Sequence, residues 1–67
     1  MEVFINQQSY LLPENSKLAA VPDLLGILSP QGIALAVNNQ VIPKDSWSGF
    51  ELQKNDHILL IRATQGG

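Results

Sequence analysis

Cysteine is missing from the chain altogether. Without thiols there is no disulfide framework and no thiolate metal site to staple a small fold, and nothing speaks for an oxidising compartment. A reducing, cytoplasmic setting is therefore expected. Histidine occurs only at His57, so no second imidazole stands at metal-ligand spacing, and a lone histidine beside a turn is ordinarily a surface residue. Bases are scarce: four against six acids, a formal charge of −2. They are scattered singly, which leaves no basic stripe for phosphates and no polybasic anchor, so neither nucleic acid nor membrane is an expected partner. No apolar run is long enough to span a bilayer, and the start lacks the basic region, apolar run and cleavage site of a signal peptide. The acids Glu2, Glu14, Asp23, Asp45, Glu51 and Asp56 show no pairing suited to acid–base work. Glycine-rich phosphate loops and nucleophile elbows are absent as well, so no catalytic residue and no metal ligand is assigned. Sixty-seven residues allow one domain with a small core, which must be stabilised by efficient packing.

What is present concentrates at the C-terminal end, Ile58-Leu59-Leu60-Ile61-Arg62-Ala63-Thr64-Gln65-Gly66-Gly67. The β-branched and aliphatic run reads as a buried strand, and a polar spacer leads from it to two glycines. An internal Gly-Gly ordinarily marks a turn, but this pair stands last in the sequence. It is expected instead to form a thin tail ending in a carboxylate, able to lie in a channel too narrow for side chains. A merely frayed terminus is the alternative. The expected division is a folded domain over residues 1–62 and a flexible tail over 63–67.

Upstream, Met1-Glu2-Val3-Phe4-Ile5-Asn6 has strand composition, with Val3 and Ile5 on one face and Phe4 on the other. Polar Asn6-Gln7-Gln8 turns the chain into Ser9-Tyr10-Leu11-Leu12, a second strand antiparallel to the first. Val21, Leu24, Leu25 and Leu28 fall at helical spacing. They predict a helix starting near Val21, weakened inside by Gly26 and ended by Ser29-Pro30-Gln31-Gly32. Ile33, Leu35 and Val37 share one face of a third strand, and Ala34 and Ala36 lie on the other. Asn38-Asn39 can adopt the positive φ of a tight hairpin returning through Gln40-Val41-Ile42 to Pro43, the end of an edge strand. Lys44–Leu52 shows no period but holds Trp47 and Phe50, which are expected to cover one end of the core. Asn55 suits a left-handed turn before the last strand.

That strand is apolar on both faces, Ile58 and Leu60 against Leu59 and Ile61, so it is expected to be central. One helix can bury only one face of the sheet, so Phe4, Ala34, Ala36, Leu59 and Ile61 should form an exposed apolar patch bordering the tail. Strand, hairpin, helix, further β segments and a final central strand make an α+β roll. Its mixed sheet of four to five strands packs on one short helix, with strands one and five parallel: the β-grasp.

Ala34-Leu35-Ala36-Val37-Asn38-Asn39-Gln40-Val41-Ile42-Pro43, then Trp47, then Asn55-Asp56-His57-Ile58-Leu59-Leu60 and terminal Gly66-Gly67 resemble the bacterial thiamin-biosynthesis sulfur-carrier proteins. These are ubiquitin-like β-grasp proteins, and the likeness covers nearly the whole chain. The Val-Asn-x-x-x-x-Pro-x-x-x-Trp run and the Asp-x-Ile-x-Leu strand are its specific part, since all ubiquitin-like carriers share the terminal glycines. Three positions depart from the pattern: Asn55 where glycine often precedes the aspartate, Gln7 in place of a turn glycine, and Ala20 in place of a hydroxyl residue before the helix.

The resemblance implies a protein co-substrate rather than an enzyme. The Gly67 carboxylate would be adenylated by an ubiquitin-activating-like adenylyltransferase that uses Mg-ATP, the carrier itself holding no cofactor. A persulfide derived from a cysteine desulfurase would convert the adenylate to a thiocarboxylate, which would give its sulfur to thiazole synthase. Gly66 would thread the partners' channels with Gly67, while Ala63, Thr64 and Gln65 form the neck. The apolar patch would dock the body, and the free chain would be monomeric. Alternatives with the same fold are a molybdenum-cofactor sulfur carrier, an ubiquitin-like modifier and a scaffolding β-grasp module.

Overall fold

In the computed structural model, which describes residues 1–27 and 31–62, five strands form one mixed sheet. The strands are β1 (Glu2–Ile5), β2 (Gln8–Leu11), β3 (Ile33–Val37), β4 (Gln40–Ile42) and β5 (His57–Arg62). Their order across the sheet is β2-β1-β5-β3-β4. β1 and β5 run parallel, with Phe4 opposite His57 and Ile5 opposite Ile58, while the remaining pairings are antiparallel. The strand with two apolar faces thus takes the centre, and the chain forms the expected β-grasp.

One face of the sheet carries Val3, Ile5, Leu35, Val37, Ile42 and Ile58, which pack with Leu12, Leu18, Val21, Trp47 and Leu52 into a single core. Helix α1 (Ala20–Leu24) and a 3₁₀ helix (Lys44–Gly49) supply part of the cover. The aperiodic stretch is therefore ordered, and Trp47 is only 5% exposed. Its indole Nε1–H donates to the Ile42 carbonyl at 2.8 Å, so burial of the ring leaves no polar atom unsatisfied.

Both two-residue hairpin turns have positive φ throughout: 51° and 71° at Asn6 and Gln7, 51° and 72° at Asn38 and Asn39. Such turns match the twist of the flanking strands. Asparagine tolerates this region because its short amide can bond locally, whereas glutamine pays the steric cost of the left-handed backbone. Gln7→Gly should accordingly raise stability by about 0.5–1 kcal/mol, part of the gain being returned as extra chain entropy in the unfolded state. A urea midpoint that does not rise would mean that the Gln7 side chain makes a compensating interaction.

The helix is shorter than the apolar spacing predicts. It ends at Leu24, and Leu24 is exposed rather than buried; Leu28 lies outside the described residues. Gly26 is the cause. It takes φ +76°, its N–H donates to Asp23 C=O at 3.1 Å, and the Ile27 N–H reaches back to Pro22 C=O at 2.9 Å. These are the two bonds of a Schellman cap, so Gly26 terminates the helix instead of weakening its interior. The sign of a substitution reverses with it: Gly26→Ala should destabilise by about 1–2 kcal/mol, where an interior glycine would give a gain. A Cβ at Gly26 would meet nothing within 4 Å, so the cost is conformational alone. Chemical denaturation checks it, and a raised midpoint would restore the longer helix.

The helix start lacks a side-chain cap at Ala19. Backbone groups take over that role. The Leu18 and Ala19 amides donate to the Phe50 and Trp47 carbonyls at 2.8 and 3.1 Å, and those of Ala20 and Val21 close on Lys17 and Leu18 at 3.0 Å each. Ala20, expected to stand before the helix, is instead its first residue, so the hydroxyl missing there is not the cap, and Pro22 has no amide to satisfy.

Candidate functional site

Strand alternation places Phe4, Ala34, Ala36, Leu59 and Ile61 on the sheet face opposite the core. Register brings them together: Ala34 faces Ile61 and Ala36 faces Leu59 across β3 and β5, while Phe4 faces His57 across β1 and β5. Leu59 and Ile61 are 50% and 47% exposed, and Phe4 and Ala34 are partly covered. Ala36 corrects the expectation, because it is 6% exposed. A methyl group between the larger side chains of Leu59 and Val41, its partners on the two adjoining strands, presents little surface of its own.

Val41 is the member that the strand patterning overlooked. It is 65% exposed, and alternation from buried Ile42 was the signal that would have placed it outward. His57 closes the patch on the β1 side, its ring stacked on Phe4 with centroids 4.8 Å apart and planes 17° from parallel. Beyond Phe4 the face turns polar, with Ser9 Oγ donating to the Glu2 carboxylate. The result is an apolar strip over β4, β3 and β5 that runs out along the last residues of β5.

The asparagines and aspartate of the motif build the frame beneath this strip. Asp56, almost fully buried, accepts from the Gln53 amide at 2.8 Å and from Asn38 Nδ2 at 3.0 Å. Asn38 Oδ1 in turn accepts from the His57 amide at 3.0 Å, and the Asn38 amide donates to the His57 carbonyl at 2.8 Å. The β3–β4 turn is thereby fixed to the start of β5. The left-handed Asn55, φ 68°, sets the turn that delivers Asp56 and donates its amide to the Glu2 carbonyl at 2.6 Å.

At its far end β5 remains paired with β3 as far as Arg62, opposite Ile33. Thr64, Gln65, Gly66 and Gly67, with Ala63, lie outside the described residues, so the proposed tail and modification site enter by sequence alone. Two shallow grooves mark the described surface. One of ≈ 260 Å³ is lined by Phe4, Asn6, Asn39, His57 and Leu59 among others, and one of ≈ 220 Å³ lies between α1 and the 3₁₀ helix. Both are smaller than the roughly 300–1,000 Å³ usual for small-molecule pockets. Among the described residues no group of three or more His, Asp or Glu could hold a metal ion, and no helix is long and apolar enough to cross a membrane.

The described surface thus carries an exposed apolar strip beside two shallow grooves. The ThiS family profile matches residues 2–67. The chain is 42% identical over 36 residues to the sulfur carrier protein ThiS of Escherichia coli (strain K12), a match covering 54% of this chain and 54% of that protein. The aligned segment thus spans about half the length of that relative. A crystal structure of the thiamine biosynthesis protein ThiS from Geobacter metallireducens superposes with a TM-score of 0.83 at 13% identity, covering all of both chains. A solution structure of a thiamine biosynthesis protein from the same organism gives 0.79 at 13% identity, over all of this chain and 88% of that one. At such identities the structural likeness speaks for the fold alone.

Proposed function

The chain belongs to the ThiS family, and from that premise we propose that it is the sulfur carrier of thiamin biosynthesis, a protein co-substrate whose reactive group is the Gly67 carboxylate. The observation that carries this reading is the extent of the family match, which continues from the strands and turns through Gly66 and Gly67. A carboxylate is a poor electrophile until one oxygen becomes a leaving group. An activating adenylyltransferase with Mg-ATP would supply that by transferring AMP to the Gly67 carboxylate with release of pyrophosphate. A persulfide from a cysteine desulfurase would then displace AMP to give an acyl disulfide, and a thiol would cleave this to the thiocarboxylate. Thiazole synthase would consume the sulfur.

The chain's own residues supply presentation rather than chemistry. Gly66 and Gly67 carry no side chain past Cα and so suit a narrow channel. Thr64 and Gln65 would set the distance from β5, and the strip of Leu59, Ile61, Val41, Ala34 and Phe4 would seat the folded body. The absence of cysteine is compatible with the chemistry, since no internal thiol competes for the adenylate or the persulfide.

Intact mass of the purified chain tests the proposal, after incubation with the adenylyltransferase, ATP, cysteine desulfurase, cysteine and a thiol. The expected gain equals replacement of one oxygen by sulfur, localised to Gly67. No gain under conditions that load a known carrier would overturn it, and lysine-linked conjugates in cells would favour a modifier instead.

A further inference from the structure

β5 outlasts its parallel partner. Pairing with β1 covers Phe4 opposite His57 and Ile5 opposite Ile58, after which the chain leaves through the left-handed pair Asn6-Gln7. β5 nevertheless runs on to Arg62, held on its other flank by β3 as far as Ile33 opposite Arg62. On the β1 side the backbone groups that point outward belong to alternate residues. The Ile58 carbonyl is one of them and accepts the Asn6 amide at 2.9 Å. Next on that side is the Leu60 amide, with no residue of β1 opposite it. Its partner is a side chain: the Leu60 N–H donates to Asn6 Oδ1 at 2.9 Å, across 54 positions of sequence.

Asn6 therefore does two jobs in one place. Its main chain supplies the last donor of the parallel ladder, and its side chain supplies one further acceptor that the ladder lacks. We propose that Asn6 is a positioning residue for the C-terminal segment. It holds Leu60–Arg62 in strand geometry beyond the end of β1 and so sets the direction in which the chain leaves the sheet toward Gly67. The functional half of this inference rests on the carrier reading above. The residue type fits both demands: asparagine tolerates φ 51°, and its amide is short enough to bond the neighbouring strand. Glycine would satisfy the turn without the acceptor, and aspartate would satisfy both.

Those two substitutions separate the roles. Asn6→Gly keeps the turn and deletes the acceptor, so amide hydrogen exchange at Leu60 should quicken roughly three- to tenfold while Leu59, bonded toward β3, keeps its protection. Asn6→Asp should restore protection at Leu60. In Gly67 adenylation by the activating enzyme, Asn6→Gly should raise KM roughly threefold or more with kcat little changed, because a loosened exit must be ordered on docking. Asn6→Asp should return KM toward that of the native chain. Unchanged Leu60 exchange in Asn6→Gly overturns the positioning role. Faster exchange with unchanged KM confines Asn6 to a structural bond and overturns its part in presentation. If the native chain is not adenylated at all, the carrier reading fails, and the exchange rates still decide whether Asn6 holds the end of β5.

Discussion

Trp47→Ala should leave a large fraction of the chain unfolded in the absence of denaturant. Truncating a buried tryptophan removes apolar burial and leaves a cavity that the surroundings only partly fill, at about 3–5 kcal/mol. A domain of this length has a total stability of roughly 3–10 kcal/mol, so the loss is of the same order as the whole. Trp47 lies on a 3₁₀ helix without a strand ladder, it joins that helix to β4 through the bond to Ile42 C=O, and its own carbonyl receives the Ala19 amide at the start of α1. Loosening it therefore disturbs three elements together. Trp47→Phe retains most of the ring and should cost about 1–3 kcal/mol, including the lost hydrogen bond to Ile42 C=O. Urea unfolding followed by far-ultraviolet circular dichroism measures both, since the alanine variant has no tryptophan left to report. A midpoint unchanged in Trp47→Ala would mean that the indole is a surface aromatic and that the core is closed by something else.

The central place of the last strand was legible because it follows from which residues can face water. Ile58 and Leu60 on one side of β5 and Leu59 on the other cannot be solvated together, which forces the last strand inward, and the paired asparagines mark the one hairpin where both residues tolerate positive φ. The end of α1 was not legible for a definite reason. Leu24, Leu25 and Leu28 continue the helical spacing past Gly26, and spacing is blind to the left-handed glycine that stops the helix two residues beyond Leu24. The 3₁₀ helix around Trp47 was hidden in a similar way, since a few residues at that pitch are too short to show a period. Exposure within the strip needed three dimensions too. Ala36 lies on the outward face by alternation, yet its cover depends on neighbours from two other strands. The role of Asn6 is the extreme case: Asn6 reads as an ordinary turn residue until its side chain is seen against Leu60, which no local pattern connects to it. Conversely, Asn38 and Asp56, the motif residues that singled out the family, serve to fasten turn to strand and do not touch the outward face.

Ile61→Asp should lower the affinity of the chain for both the activating enzyme and the sulfur acceptor by roughly a hundredfold or more while the fold survives. The fold survives because Ile61 is already half in water and its side chain lies on the face opposite the core. Losing its contacts and the β propensity of isoleucine should cost about 1–2 kcal/mol, which leaves a native dichroism spectrum at a reduced midpoint. Docking is affected far more. On the docking role proposed above, an isoleucine within an apolar contact would be replaced by a carboxylate that must shed its water, a change worth about 3 kcal/mol or more. Position along the chain adds to this, for Ile61 lies one residue before the end of β5, and on the carrier reading a partner receiving Gly67 would approach this stretch. Titration calorimetry with each partner, beside Leu24→Asp as a control on an exposed apolar residue of α1, separates the outcomes. Loss of binding in Ile61→Asp with retention in Leu24→Asp places the docking surface on the outer sheet face. Equal binding in both would move the recognition to the tail alone, and an unfolded Ile61→Asp would mean that the two faces of β5 are reversed.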